Sequence, residues 1–146
     1  ANTKICNYTD EHELTSMGTT AAMLMFAKDQ IGLCNVGDSK IFQFSEDKLQ
    51  QISYDHVGIS AFGRKPPLSQ NLGIPESELI VSPYVATGEY HNGDIYLICS
   101  DGLTDMVRDE KLTGLLANGA DANALCNAAV AAGGLDNVSC CVIEIK

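Results

Sequence analysis

Three aspartates in the sequence stand at the ends of predicted strands. Asp38 and Asp101 come soon after apolar, strand-like segments, and Asp136 precedes the last such segment. A carboxylate at the end of a buried strand has a rigid support, which is where functional groups are placed most accurately. Oxygen ligands without His or Cys partners favour Mg²⁺ or Mn²⁺ over Zn²⁺. The pattern therefore predicts a site for a hard divalent cation, with Asp101, Asp136 and Asp38 as the candidate ligands.

The same residues also fit a simpler interpretation as turns. Asp38 and Asp101 adjoin Gly37 and Gly102, and a glycine lets backbone or solvent approach a bound ion closely. However, Gly-Asp-Ser and Asp-Gly are also common in hairpin connections and tight turns. The spacing alone leaves both interpretations open, and only the order of the surrounding motifs favours one of them.

The composition indicates an acidic chain with a packed core. Its 146 residues fit one ordinary domain, and 45% of them are hydrophobic against 19% charged. The formal net charge of −10 argues against a nucleic-acid partner, because such binding requires clustered Lys and Arg. A surplus of carboxylates is compatible with divalent cations, although we expect most of these charges to be solvated surface.

The cysteines and the apolar runs indicate the compartment. None of the six cysteines forms a Cys-x-x-Cys pair, so the usual spacing of a zinc site is absent. Reduced core cysteines are typical of the cytoplasm, where we expect this protein to reside. The longest early apolar stretch, residues 21–27, is far below the roughly 20 residues of a membrane helix, so we expect no membrane partner.

The order of strand and helix patterns predicts an α+β fold. Residues 21–27 and 31–36 should form a hairpin around the turn Lys28-Asp29-Gln30, and the first third of the chain should continue as an antiparallel meander. The remaining predicted elements are strands at 41–44, 49–52, 79–86, 95–99 and 138–145, and two helices capped by Asp109 and Asp121.

Residues 53–78 differ from their surroundings. Glycines and prolines interrupt every periodicity there, which predicts an irregular, flap-like excursion at the surface. Loops of this length are often functional. Arg64 and Lys65 form its only basic pair and could contact an anionic substrate, although an exposed loop tip is the simpler expectation.

The motifs, taken in order, resemble the bacterial-type protein phosphatase 2C family of serine/threonine phosphatases, also called the PPM family. The resemblance covers nearly the whole chain, and the last two motifs below are specific in combination. The matching segments are Gly18-Thr19-Thr20, Asn35-Val36-Gly37-Asp38-Ser39-Lys40, Asp55-His56, Leu68-Ser69-Gln70-Asn71-Leu72-Gly73, Gly93-Asp94, Cys99-Ser100-Asp101-Gly102-Leu103-Thr104-Asp105 and Asp136-Asn137-Val138-Ser139.

The resemblance implies a fold and a chemistry. In this family two β-sheets pack face to face between helices, in αββα layers, with a binuclear Mg²⁺ or Mn²⁺ centre at one edge. By resemblance, Asp101 and Asp136 bind the central metal pair, and Asp38 shares Asp101 in a third, looser site. The metals activate a water that attacks phosphoserine or phosphothreonine of a protein substrate directly.

The sequence departs from the family at three places. The family's opening segment, with a phosphate-binding Arg and a metal-bridging Asp-Gly, has no counterpart before Gly18. Lys40 stands where Arg is usual, and the excursion at 53–78 is shorter than the usual flap. We therefore expect residues 1–146 to be the C-terminal part of a single catalytic domain, with a fold incomplete at its N-terminus.

Two further expectations follow from the missing segment. Any metal site should bind weakly and the isolated chain should be inactive, whereas a full-length parent would be a metal-dependent phosphatase. The alternative is a non-catalytic interaction or regulatory module that keeps the phosphatase fold. The truncated face should also favour self-association, because open strand edges and bare apolar surface attract a second chain.

Overall fold

The computed structural model describes residues 1–28, 30–60 and 65–146. None of the helices in these ranges is both long and apolar enough to cross a bilayer. The helices are α1 (Asn2–Glu11), α2 (Asp101–Thr104), α3 (Asp109–Ala117) and α4 (Ala122–Ala131). The strands are β1 (Ala21–Ala27), β2 (Gln30–Val36), β3 (Lys40–Ser45), β4 (Lys48–Gln51), β5 (Tyr84–Glu89), β6 (Ile95–Cys99) and β7 (Cys140–Glu144).

The strands form two antiparallel sheets. The first has the order β1-β2-β5 and the second the order β4-β3-β6-β7. Alternate residues of β2, such as Ile31 and Leu33, are buried on the inner side of the first sheet. The two sheets meet where the ring of Phe26 on β1 stands edge-on to that of Tyr96 on β6, with 5.4 Å between centroids. The arrangement is a β-sandwich, as the resemblance implied.

One helical layer covers the second sheet. Phe42 and Phe44 of β3 point away from the sandwich interior and pack with Leu103 of α2, Leu112 of α3 and Leu125 of α4. The positions Leu112 and Leu116, and likewise Leu125 and Ala129, are four residues apart and form the buried stripe of each helix. This apolar cluster fixes α2 at the end of β6, where Asp101 begins the helix.

The outer side of the first sheet is open within the described residues. Met23 and Val85 share one row of the sheet through Cys34, and Met25 lies in the next row. Their relative exposures are 54% for Met23, 66% for Val85 and 69% for Met25. Helix α1 has no buried residue. An apolar sheet face is therefore left facing solvent.

The predicted meander is wrong in its connectivity. The hairpin of β1 and β2 is confirmed, with Asp29 of its predicted turn outside the described residues. The chain then leaves this sheet after Val36 and begins β3 at Lys40 in the other sheet. Local strand patterns do not encode which sheet a strand joins, because that choice depends on long-range packing. The crossing places Asp38 between the two sheets.

Several predicted boundaries also differ. The strand expected at 79–86 forms later, at β5, because Pro83 cannot donate a ladder hydrogen bond. Helix α3 begins after Arg108 without a side-chain cap, so Asp109 lies in its first turn. The predicted cap of α4 is confirmed, since the Asp121 carboxylate accepts from the amide of Ala124 at 2.8 Å. Helices α1 and α2 were not predicted.

Candidate metal centre

Asp38 lies in the short connection that crosses between the sheets. Gly37 precedes it with φ of 101°, a left-handed conformation that strongly favours glycine. A Cβ on Gly37 would also lie 2.7 Å from Cβ of Thr20, so no side chain fits there. Thr20 and Ser39 are joined by a hydrogen bond of 2.8 Å between their hydroxyl groups. These contacts hold the connection between β2 and β3 against the residue that precedes β1.

Buried hydrogen bonds also anchor this crossing. The amide of Gly37 donates to Nδ1 of His56 at 3.2 Å, and the amide of His56 donates to the carbonyl of Gly37 at 2.9 Å. Because Nδ1 is the acceptor, the ring proton is on Nε2. Asn35 donates to the carbonyls of Gly37 and Tyr54 at 3.2 and 3.0 Å. His56 therefore has a structural hydrogen-bonding role.

Asp101 is the first residue of α2, directly after β6 and Ser100. A Cβ on the next residue, Gly102, would lie 2.9 Å from the carbonyl carbon of Asn137 and would overlap its oxygen. Ser100 exchanges hydrogen bonds with Ser139: its amide donates to the Ser139 carbonyl at 3.0 Å, and its Oγ accepts from the Ser139 amide at 3.1 Å. These contacts bring the segment that contains Asp136 to the side of Asp101.

The three predicted aspartates line one pocket. Asp38, Asp101 and Asp136 border a cavity of about 640 Å³. Asp101 is half-buried, whereas Asp136 is exposed and its Oδ1 accepts from the amide of Asn137 at 2.7 Å. The other lining residues are Gly18, Thr19, Thr20, Ser39, Lys65, Pro66, Leu68, Asn71 and Ser100.

A lysine side chain occupies part of this site. Nζ of Lys65 forms an ion pair with Oδ2 of Asp101 and a second one, at 2.7 Å, with Oδ2 of Asp105. Desolvation opposes the charge of Lys65, but the hydrogen bonds to the two carboxylates outweigh it and raise its pKa. The other member of the predicted basic pair, Arg64, lies outside the described residues.

Asp38 lies within electrostatic reach of Asp101. Partial burial, and next the negative charge of Asp101, raise the pKa of Asp38, while Lys65 acts in the opposite direction. A carboxylate that is crowded by a second negative charge is stabilised by a cation placed beside it. The pocket thus combines crowded negative charge with an ammonium group already bound to it.

The three aspartates offer suitable ligand atoms for a hard cation, but they do not form a complete coordination sphere. The ammonium of Lys65 is a stand-in cation on oxygen-only ligands, which is the donor chemistry that Mg²⁺ and Mn²⁺ require. However, no three His, Cys, Asp or Glu side chains of the described ranges converge closely enough to form a ready cage. Water or further residues would have to supply the remaining ligands.

Sequence reasoning missed two participants. Asp105 follows Asp101 by four residues, and its amide donates to the Asp101 carbonyl at 2.8 Å. The i, i+4 spacing of acids within Ser100–Asp105 was the available signal, since such residues share a helix face. Lys65 was assigned to an exposed loop tip, but its side chain reaches the pocket. Nothing local in the sequence pairs it with Asp101, 36 residues away.

Lys40 and His91 do not line the pocket of the three aspartates. Lys40 forms an ion pair with Asp55, whose other carboxylate oxygen accepts from Gln51 Nε2 at 2.6 Å. The presence of Lys40 where Arg is usual therefore affects the polar contacts with Asp55 and Gln51. The side chain of His91 is 75% exposed in a turn.

Comparison with known proteins establishes the family. The family model described as Protein phosphatase 2C matches residues 2–129. The chain belongs to the protein phosphatase 2C family. The matched residues include Asp38 and Asp101, whereas Asp136 lies beyond them.

Individual relatives agree with this membership. The serine/threonine protein phosphatase PstP of Mycobacterium tuberculosis is 33% identical over 92% of the chain. The serine/threonine phosphatase stp of Listeria welshimeri is 27% identical over 98% of it. The chain spans only 29% and 63% of the lengths of these two relatives.

A solved structure supports the fold. The crystal structure of the PstP catalytic domain, which contains two manganese ions, superposes with a TM-score of 0.75 at 32% identity. The superposition covers 98% of this chain and 67% of that chain. The protein phosphatase 2C fold predicted from the sequence is thus confirmed for the described residues.

Proposed function

We propose that residues 1–146 form the C-terminal part of a metal-dependent protein phosphatase domain. A longer parent would hydrolyse phosphoserine and phosphothreonine in proteins. The observation that carries the proposal is that Asp38, Asp101 and Asp136 line one pocket, although they come from three separate segments of the chain. Membership of the protein phosphatase 2C family and the manganese ions of the PstP domain support it.

Each aspartate has an assigned role in this proposal. Asp101 and Asp136 would bind the central pair of Mg²⁺ or Mn²⁺ ions, and Asp38 would join Asp101 at a third site. Bound there, the metals would activate water for attack on the phosphoryl group and neutralise charge on its oxygens. Asp38 and Asp101 approach closely at a cost in mutual repulsion, which a divalent cation between them would relieve.

The pocket by itself is poorly suited to phosphate. Of the described residues that line it, three are acidic and Lys65 alone is cationic, and Lys65 is already paired. Without bound metal, the net negative charge would repel a phosphoryl group. We therefore propose that the isolated chain turns over phosphorylated substrates negligibly, because it binds metal weakly.

The second candidate function is a non-catalytic interaction or regulatory module. The observation that favours it is the lack of a ready three-ligand metal cage among the described residues. In this case the pocket acids would serve structure, and the Lys65 ion pairs would be permanent.

A hydrolysis assay distinguishes the two functions. The full-length parent and the 146-residue chain would be incubated with p-nitrophenyl phosphate and a phosphothreonine peptide, with Mn²⁺ and with chelator. The matched variants are Asp101→Asn and, as control, Asp47→Asn. Asp47 is exposed at the opposite end of β3 with φ of 59°, a conformation that Asn tolerates.

The phosphatase proposal predicts Mn²⁺-dependent turnover by the parent that Asp101→Asn abolishes and Asp47→Asn preserves. An inactive, folded parent would favour the interaction module. Robust Mn²⁺-dependent turnover by the 146-residue chain would overturn the proposed inactivity of the fragment and show that the missing groups come from elsewhere, such as a second chain.

A further inference from the structure

We propose that Lys65 is a built-in competitor of the divalent cation at Asp101. Its ammonium group occupies the Asp101 carboxylate until a metal ion displaces it. The inference rests on the proposed function, since it takes Asp101 as a metal ligand. It adds a regulatory contact between the excursion at 53–78 and the metal centre.

The geometry of the contact is that of a cation on two ligands. Nζ of Lys65 bonds to one oxygen each of Asp101 and Asp105, which lie one helical turn apart at α2. A lysine ammonium is a compact point charge with three donors, so it can serve two carboxylates at once. Like a hard metal ion, it binds most strongly to ionised oxygen ligands. A metal ion at Asp101 and this ammonium are two cations beside one carboxylate, so their mutual repulsion disfavours binding of both at once.

The ion pairs of Lys65 with Asp101 and Asp105 are accessible to solvent. The side chains of Lys65 and Asp105 are 47% and 45% exposed, and that of Asp101 is 27% exposed. Exposed ion pairs of this kind contribute little to stability because solvent screens them. The exposed pair can open without disturbing the core.

The backbone around Lys65 keeps the ammonium close to its carboxylates. The amide of Gly58 donates to the carbonyl of Pro67 at 2.8 Å, and that of Ser69 donates to the carbonyl of His56 at 2.9 Å. Since His56 also bonds to Gly37, this anchoring reaches the segment that contains Asp38. A tethered ligand acts at high effective concentration. Lys65 thus competes intramolecularly, at a strength independent of protein concentration.

The competition has a defined thermodynamic consequence. The apparent metal affinity equals the intrinsic affinity multiplied by the fraction of molecules in which the carboxylates are free of Lys65. Reciprocally, a bound metal ion releases Lys65 from Asp101. The released ammonium would be a free cation lining the pocket beside the aspartates, positioned to meet an anionic group.

Metal binding to lysine variants provides the first test. Mn²⁺ would be titrated into the 146-residue chain and followed by the electron paramagnetic resonance signal of the free ion, which needs no turnover. Lys65→Gln removes the competitor, and Lys65→Arg keeps its charge. Lys48→Gln, exposed at the start of β4, controls for the loss of one positive charge. We expect Lys65→Gln to bind Mn²⁺ about three- to tenfold more tightly than Lys48→Gln does.

The second test observes Lys65 itself. Proton–nitrogen correlation spectra of lysine side chains detect ammonium groups held in ion pairs. We expect a protected Lys65 ammonium signal in the metal-free chain that Asp105→Asn weakens. Addition of Mg²⁺, which is diamagnetic, should shift this signal or remove it, whereas the Lys40 signal should remain.

The outcomes separate this inference from the function on which it rests. If wild-type protein binds Mn²⁺ through Asp101 but Lys65→Gln binds no more tightly than Lys48→Gln, the competition is overturned and the metal site stands. Weaker binding by Lys65→Gln would also overturn it. If Asp101→Asn binds Mn²⁺ as well as wild-type protein does, both the metal role of Asp101 and the competition are overturned.

Discussion

The carbonyl group of Asn137 lies directly over the α-carbon of Gly102, at a distance that leaves no space for a side chain. A Cβ at Gly102 would lie 2.9 Å from the carbonyl carbon of Asn137 and 3.4 Å from the α-carbon of Val138. Because Gly102 follows Asp101 and Asn137 follows Asp136, this contact brings together the two backbone segments that carry the carboxylates. The sequence indicated that Gly102 would admit an ion, but its observed neighbour is backbone.

Replacing this glycine should disturb both stability and metal binding. In Gly102→Ala the methyl group must displace the Asn137 backbone, and we expect the free energy of unfolding to fall by about 1–3 kcal/mol. Gly114→Ala is the control: Gly114 lies within α3 with open space around it, so alanine should stabilise by about 0.5–1 kcal/mol. Urea titrations measure the free energy of unfolding of both variants. An equal response of the two variants would contradict the account.

Removing the acceptor of the Gly37 amide should loosen the Asp38 segment. In His56→Ala this buried amide loses its partner, so we expect a loss of about 1–3 kcal/mol in the free energy of unfolding. Hydrogen exchange of the Gly37 amide should accelerate as well. His91→Ala, at an exposed site, should change neither quantity. Unchanged protection of the Gly37 amide in His56→Ala would refute the anchoring role.

Much of this arrangement was predictable because its signals are local. The strand patterns at β3, β4 and β6, the cap at Asp121 and the Asp-Gly motif at Asp101 depend on nearest neighbours, and the structure confirms these elements. The common position of the three aspartates at strand ends also predicted that they line one pocket. Their role as metal ligands remains a prediction.

The rest depends on contacts between distant parts of the chain. The switch of sheets at Asp38 and the ion pair of Lys65 with Asp101 are set by tertiary packing, which no periodicity records. Likewise, the overlap of Gly102 with Asn137 joins residues 35 positions apart. The Asp-Gly motif does not predict which distant part of the backbone will pack against its glycine.

Asp94 should make stability depend on acidic pH. Burial disfavours its charge, but hydrogen bonds from Ser45, the His91 amide and Gln43 outweigh this and lower its pKa. A group with a lowered folded pKa stabilises the protein above its unfolded pKa of about 3.9, and this contribution is lost as pH falls through the folded value. We expect Asp94→Asn to cost about 1–3 kcal/mol at pH 7.

Urea titrations from pH 7 to pH 3 test this dependence. The difference between Asp94→Asn and wild-type protein should shrink as pH falls below about 4. The exposed Asp47→Asn should differ little from wild type at any pH. A cost of Asp94→Asn that does not vary with pH would contradict an ionised Asp94 in the folded state.

The open face of the first sheet should lead to self-association. Met23, Met25 and Val85 form an exposed apolar patch between two strand edges, a surface that commonly pairs with another chain. We expect sedimentation velocity to show association that increases with concentration and that Met25→Ser with Val85→Ser reduces. Ile80→Ser with Leu135→Ser, also exposed but in separate loops, should have no effect. A concentration-independent monomer would contradict this expectation.

The most direct test of the central claim is a Mn²⁺ titration of the 146-residue chain and its aspartate variants, followed by electron paramagnetic resonance. We predict weak but saturable binding that Asp101→Asn and Asp136→Asn each reduce about tenfold or more, because each removes a charged oxygen ligand. Asp47→Asn removes the same charge at the far end of β3 and should leave binding unchanged. Equal binding by all three variants would show that the pocket aspartates are not metal ligands and would contradict the account.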